Sequence, residues 1–363
     1  MSKDIRLKKG LNINLLGEAD KVYASIPKSQ NFSIKPTDFH SLIPKMVVKE
    51  GDKVKAGSCL FFDKHDERIR FSSPVSGEVT EIVRGAKRRI IEVKIAADSE
   101  INYESFSLEA NASRDQVIRG LLKSGVWPFI RQKPFDTIAN PSDNPKAIVI
   151  STFDTAPLAP DNDFILHGLD DEFQLGIEVI KKLTDGKVHL NVDGNTNPSK
   201  VFTNCKGVQI NKISGPHPAG NVGVQIHHTK PLKPNDVIWT VNAQHVITFG
   251  KLFKTGSYDP KIIVSTGGSG ASNPEVVKTR TGAKIDSFLV NQSKDKLVRL
   301  ISGDVLTGET VNLDIIQEIV TKFDFKIEIG GGIRNFESIQ KYTDVGVEKV
   351  ILGSAAIKDK NFL

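Results

Sequence analysis

The sequence predicts a multidomain α/β protein: an all-β N-terminal part, an α/β centre, a short strand-and-turn module and a β/α tail. Three observations predict it. Through the first hundred residues Gly and Pro punctuate short apolar runs, the pattern of hairpins and tight turns. From 101 to 255 helix-period segments alternate with apolar runs of strand length. Over the last fifty residues the order is helix, strand, helix, strand, with glycine closing each strand. The 363 residues suit two or three domains and more than one core.

Composition excludes several classes. Hydrophobic residues make up 39% and charged residues 25%, ordinary for a globular chain. No run of 18 apolar residues occurs, and the N-terminus does not read as a secretory signal. Cys59 and Cys205 form no CxxC, which argues against a disulfide framework or zinc knuckle and for a reducing compartment. The net charge of +6 suits an acidic partner or an anionic surface. With 2 Trp and 4 Tyr there is no aromatic pattern interleaved with basic residues, so no nucleic acid partner is expected.

The elements follow in order. Residues 47–95 hold two turn units, EGDKVKAG and SPVSGEV, with glycine where reversals need positive φ. Val79, Ile82, Ile91, Val93 and Ile95 alternate and are expected to face one core. This double hairpin resembles the barrel-sandwich hybrid of lipoyl and biotinyl carriers. Its tip, DKHDER, holds Lys64 without the residues that flank a carrier lysine, so a scaffold use of residues 1–100 is expected. RGAKRR (84–89) reads as a solvated hairpin or a contact for acidic groups. In the centre, Ser113 and Gln116 form a capping box before Val117, Leu121 and Leu122, and Gly125 stops that helix. KAIVIST (146–152) reads as a buried strand. A helix over 171–186 carries Phe173, Ile177, Ile180 and Leu183 and ends at Gly186. VHLNVD (188–193), VGVQIHH (222–228) and DVIWTVN (236–242) read as strands, which sets His227 and His228 on opposite faces and against a metal pair. Residues 256–311 are short strands and turns, with TGGSG (266–270) a flexible turn that lacks P-loop spacing. In 312–363, Asn312 and Asn335 sit at N-caps, Ile316, Ile319, Val320 and Phe323 make one face, and KIEIG and KVILG are parallel-strand candidates.

Two loops attract attention. Pro216, His217 and Pro218 make a stiff turn, readable as a ligand edge, a contact between subunits or a structural turn. Asp154, Thr155 and Pro157 follow the strand at 146–152, where open α/β sheets gather ligands; the same residues also suit an Asx turn. No nucleophile–base pair, carboxylate pair, cysteine cluster or dinucleotide fingerprint emerges.

Several long strings resemble the A component of the bacterial Na+-translocating NADH:quinone reductase. They are IRLKKGLNINLLGEAD, IPKMVVKEGDKVKAGSCLFFDK and FSSPVSGEVTEIVRGAKRRIIEVKI, then the stretch from VWPFIRQKPFD to DFILHG. SGPHPAGNVGVQIHH (214–228), VNAQHVITFGKLFKTG (241–256), SNPEVVKTRTGAKI and VRLISGDVLTG continue it, about 305 of 363 residues in all. The resemblance implies a peripheral subunit on the cytoplasmic face of the bacterial inner membrane, attached through the pump's other subunits. It implies a complex that uses NADH, FAD, FMN, riboflavin, an iron–sulfur centre, ubiquinone and Na+, none of the cofactors being bound by this chain. It implies a part in quinone binding or assembly, with no catalysis by the isolated chain. Asp154, Thr155, Pro216, His217 and Pro218 are then the quinone or ligand-edge candidates. For the fold it implies a central domain resembling the flavin-binding subunit of respiratory complex I and a β-grasp-like ligand-binding module at 256–311. It also implies a C-terminal docking region.

After about Gly308 that pattern stops. Residues 312–363 instead resemble a fragment of the (βα)8 isomerase of histidine biosynthesis, the phosphoribosyl-aminoimidazole-carboxamide ribotide isomerase. By that resemblance Gly331, Gly332, Gly353 and Ser354 bind a phosphate. Two strands close no barrel and the isomerase's acid/base strands are missing, so no isomerase activity is expected. The expectation is a chimera, by rearrangement or by a misplaced join, with a docking defect. The competing readings are an isomerase fragment retaining only a phosphate site, and a non-enzymatic ligand-binding scaffold.

Overall fold

The computed structural model describes residues 3–109, 111–285, 300–306 and 308–310, with short pieces at 328–330, 340, 343–344 and 349–351. In chain order the strands before the first α-helix are β1 (Asp4–Arg6), β2 (Asp20–Tyr23), β3 (Asn31–Ile34), β4 (Pro44–Met46), β5 (Lys53–Val54), β6 (Cys59–Asp63), β7 (Asp66–Ser72), β8 (Gly77–Arg84) and β9 (Ile90–Ala97). A four-stranded sheet, β3-β9-β8-β5, faces a three-stranded one, β4-β6-β7. Leu60, Phe61, Phe71, Val79, Val93 and Ile95 fill the space between. One core assignment changes. A bulge between Val83 and Arg84 sets Arg84 opposite Ile90, so Ile90 is buried in place of Ile91.

The first two strands pair outside this sandwich. β1 lies parallel to a strand of the central sheet, and β2 pairs with a strand near residue 276. The chain therefore opens by stitching itself to two later parts.

The centre runs α1 (Arg114–Lys123), β10 (Ile130–Lys133), β11 (Thr137–Ile138), β12 (Ala147–Ser151), α2 (Asn162–Ile165), α3 (Asp170–Lys181), β13 (Lys187–Asp193), α4 (Lys200–Thr203), β14 (Gln209–Ser214), α5 (Val222–Thr229), β15 (Ile238–Val241) and α6 (Ala243–Thr255). The Ser113–Gln116 capping box forms in both directions, and Gly125 takes positive φ just past α1. The seven-stranded sheet has the order β1-β14-β13-β12-β15-β10-β11. β1, β14, β13, β12 and β15 are parallel, and β10 is antiparallel to β15. From β12 the chain proceeds outward to β13 and β14, then crosses back to β15 on the other side. The switch point therefore lies at the end of β12. Alternation along β12 gives Ile148 and Ile150 to the main core and Val149 to a smaller cluster with Ile226 and Ile238.

The segment 222–228, expected as a strand, is helix α5. Val222, Val224 and Ile226 alternate, but Val222–Ile226 and Gln225–Thr229 also stand four apart, and packing against Val149 and Ile238 selects that period. His227 and His228 are consequently neighbours on the last turn of a helix, both exposed. α3 ends at Lys181, before the expected stop; Gly186 instead lets the chain pass Lys146, whose carbonyl oxygen lies 2.2 Å from where a Cβ would sit.

β16 (Lys261–Ser265) and β17 (Glu275–Arg280) form a hairpin that β2 extends. Between them the TGGSG segment is a turn in which Gly268 N–H donates to Gly17 O at 2.9 Å. Arg280 ties this module to the sandwich: it donates to Pro74 O at 3.3 Å and to the Tyr103 hydroxyl. It also pairs with Asp259 at 3.2 Å without hydrogen-bond alignment, and Lys261 holds the other Asp259 oxygen at 3.0 Å. Arg280→Ala leaves Asp259 short of a partner in a mostly buried place. It is expected to cost about 2 kcal/mol, measured as a lower urea midpoint; an unchanged midpoint would show that the strut carries no stability.

Beyond these come β18 (Ile301–Ser302) paired antiparallel with β19 (Glu309–Thr310), and β20 (Glu328–Gly330) paired parallel with β21 (Lys349–Ile351). The last pair matches KIEIG and KVILG. Gly331, Gly332, Gly353 and Ser354, and the caps Asn312 and Asn335, lie outside the described residues.

Candidate functional site

Two of the loops singled out in the sequence meet at the carboxyl end of the parallel strands. Thr155 follows β12, and its hydroxyl accepts the Gly220 N–H at 2.8 Å. The same oxygen lies 3.1 Å from His217 Nδ1. Giving the hydroxyl proton to Nδ1 puts the imidazole proton on Nε2, whereas an Nδ1–H tautomer donates to the second lone pair of the same oxygen and leaves Nε2 an acceptor. In either tautomer the half-buried ring keeps Nε2 for a further hydrogen bond. Asp154 does not join the pair: its carboxylate accepts the Ala156 N–H at 2.9 Å, the Asx turn. Pro216 and Pro218 bracket the histidine, with Ala219 N–H returning to Pro216 O at 2.9 Å and Asn221 N–H to Pro218 O at 3.0 Å. The His217–Pro218 bond is cis.

The residues after β1 cover this turn. Leu11 N–H donates to His217 O at 3.0 Å, and His217 N–H donates to Asn12 Oδ1 at 3.1 Å. Gly10 must be glycine here, for its φ is +146° and a Cβ would lie 2.1 Å from His217 O.

Beneath the site runs a buried polar ladder that no motif in the sequence announces. On the α5 face of the sheet Asn211 Nδ2 lies 3.3 Å from His189 Nδ1 and donates to Asn191 Oδ1 at 2.8 Å. Asn191 Nδ2 donates to Gln225 Oε1 at 2.9 Å. Gln225 Nε2 donates to Ser151 Oγ at 2.9 Å, Ala219 O at 3.0 Å and Gly220 O at 3.3 Å. His189, Asn191, Asn211 and Gln225 are all buried. Satisfied amides of this kind fix strand register and hold the turn against the end of β12. Burial, with Lys230, Lys187 and Lys3 nearby, pushes the His189 pKa down to about 4. A weaker signal was present: His189 and Asn191, and Gln209 and Asn211, sit two apart, each pair separated by an apolar residue.

A cleft of about 560 Å3 opens at the opposite, amino-terminal end of the sheet, beside Lys181, Thr184, Lys187 and Gln209. Among the described residues no three His, Cys, Asp or Glu side chains gather as metal ligands, and no helix is long and apolar enough to cross a membrane.

Comparison with known proteins divides the chain. Residues 5–98 match the NqrA N-terminal barrel-sandwich hybrid domain, 112–258 the NqrA second alpha/beta domain, and 263–312 the NQRA C-terminal domain. Residues 291–363 match the histidine biosynthesis protein family, so the two kinds of match overlap between 291 and 312. The chain is 36% identical over 309 residues to the A component of the Na+-translocating NADH-quinone reductase of Neisseria meningitidis serogroup B, covering 84% of this chain and 68% of that one. It is 34% identical over 309 residues to the same component from Saccharophagus degradans, and 35% over 308 residues to that from Yersinia pestis, again at 84% and 68% coverage. A crystal structure of NAD+-reducing [NiFe]-hydrogenase in the air-oxidized state shares 12% identity and a TM-score of 0.39, over 56% of this chain and 43% of that chain, too slight a likeness to carry an argument.

Proposed function

This chain belongs to the NqrA family, the A component of the Na+-translocating NADH-quinone reductase, and from that premise we propose that it helps the complex bind quinone at the turn of Thr155 and His217. The observation that carries the reading is the hydrogen-bonded pair of Thr155 and His217 at the β12 switch point. In the Nε2–H tautomer His217 offers a quinone carbonyl the donor it needs, and a partly buried donor binds it without competition from bulk water. In this reading the chain holds no NADH or redox cofactor. Flavins and the iron–sulfur centre sit on partner subunits, to which the chain is attached on the cytoplasmic face of the membrane. The complex-I-like character of the centre and the β-grasp-like character of 256–311 belong to the same proposal.

A photoreactive quinone analogue on the assembled complex tests this. The label is expected in the peptides around Thr155 and His217, and His217→Ala or Thr155→Val is expected to weaken it about tenfold, the worth of one hydrogen bond. Undiminished labelling in both variants, or label confined to other peptides, would overturn the reading.

The β20–β21 pair supports reading the tail as a fragment of a β/α enzyme. Two strands give it no closed barrel, so the tail is proposed to be catalytically silent.

A further inference from the structure

We propose that the strap from Lys8 to Gly17 is a membrane-contact segment that takes an anionic lipid surface. The inference does not rest on the quinone reading. Every residue from Lys8 to Leu16 is exposed. Leu11 is 70% exposed, Ile13 40%, Leu15 44% and Leu16 82%, with Val22 at 57% on the neighbouring strand β2. Scattered exposed leucines need no explanation, but four exposed aliphatics within six residues are a local concentration of apolar surface. The strap is displayed rather than loose. It is anchored to His217 through the Leu11 N–H and Asn12, and at its far end Gly17 O accepts the Gly268 N–H.

Charge selects the occupant. Arg6, Lys8 and Lys9 are exposed and form no ion pair among the described residues, and no acidic residue occurs from Ile5 to Gly17. An apolar groove on a protein would cover the aliphatic side chains and leave three cations facing it. An anionic bilayer satisfies both, with the cations at the headgroup phosphates and the aliphatic tips below them. The chain then has its own hold on the bilayer, beside any hold through other subunits.

The full chain is tested by co-sedimentation with phosphatidylcholine vesicles that contain phosphatidylglycerol, against phosphatidylcholine alone. Binding is expected only to the anionic vesicles and is expected to weaken with salt. Lys8→Gln with Lys9→Gln is expected to lower binding on the order of thirtyfold, and Leu11→Ser with Leu16→Ser by about tenfold. Phe135→Ser, at an exposed aromatic between β10 and β11 on the opposite edge of the central sheet, is expected to change nothing. All of these side chains are exposed, and far-UV circular dichroism verifies that each variant is folded. Trp127 and Trp239 are fully buried, so Leu16→Trp supplies a reporter whose emission is expected to shift blue on anionic vesicles. Equal binding to both vesicles, strap variants that bind as the parent does, an equal loss in Phe135→Ser, or an unshifted reporter overturns the proposal. A free chain that ignores vesicles while its strap is shielded in the assembled complex also overturns it, and assigns the surface to a protein neighbour.

Discussion

Gly250→Ala is expected to destabilise the protein by about 3 kcal/mol or more, although alanine is the better helix former by about 1 kcal/mol. Gly250 lies in α6, and a Cβ there would sit 1.9 Å from Glu172 O and 3.0 Å from Gly176 N, both backbone atoms of α3. Gly176 faces the reciprocal obstacle, with Val246 O at 2.0 Å. Neither contact can be relieved by a rotamer change, because the obstructing atoms are main chain. The helices must separate, and separation loosens Phe173, Ile177, Val246 and Phe249, which are all fully buried. Gly223→Ala in α5 is the matching control. Nothing lies within 4 Å of its added methyl group, so the same exchange is expected to raise stability by some 0.5–1 kcal/mol. Urea unfolding of the two variants decides: a Gly250→Ala protein as stable as its parent would mean that the helices have room to part at no cost.

This crossing shows where the sequence was legible and where it was not. Phe173, Ile177 and Ile180 announced the buried face of α3, and they and Leu183, just past its end, are buried. Gly176 and Gly250 gave no signal, because a glycine used for close approach has no local signature; its reason lies on another element. β12, β13 and β15 were readable because a buried parallel strand is largely an apolar run, whereas β14, with Gln209, Asn211, Lys212 and Ser214 among its six residues, was missed. α5 was misread because seven residues with Val222, Val224 and Ile226 fit both periods, and only its neighbours decide. The pairing of β1 and β2 with strands more than two hundred residues away left no trace in their own short sequences. At the site, proline and histidine marked the 216–218 turn, and position after a strand marked Thr155. Their hydrogen bond could not be read, since 62 residues separate the partners and only the fold brings them together.

Two buried histidines, His189 in the ladder under that turn and His245 on α6, make a second large effect, expected on acidification. His189 and His245 both have pKa values lowered from 6.5 to about 4. For His189 burial is the main cause, with Lys230, Lys187 and Lys3 adding repulsion. For His245, stacked on Phe129 at 4.0 Å between ring centroids, burial alone is responsible. The folded protein keeps both rings neutral where the unfolded chain protonates them. The unfolded state therefore binds more protons below pH about 6.5, and stability falls as pH drops from there toward about 4. Each ring is expected to remove on the order of 3 kcal/mol across that window. The carboxylates with lowered pKa values, among them Asp66, Asp161 and Glu172, start from 3.8 or 4.5 and add their losses mainly below it. Urea unfolding at neutral pH and near pH 4.5 separates the two groups. His189→Gln keeps an acceptor for Asn211, and His245→Phe keeps the stack, so the double variant is expected to fold and to lose most of the slope above pH 4.5. If the double variant declines as steeply as the parent, some other group takes up the protons. If only His245→Phe flattens the curve, His189 is not held neutral by its burial beneath the Thr155–His217 turn.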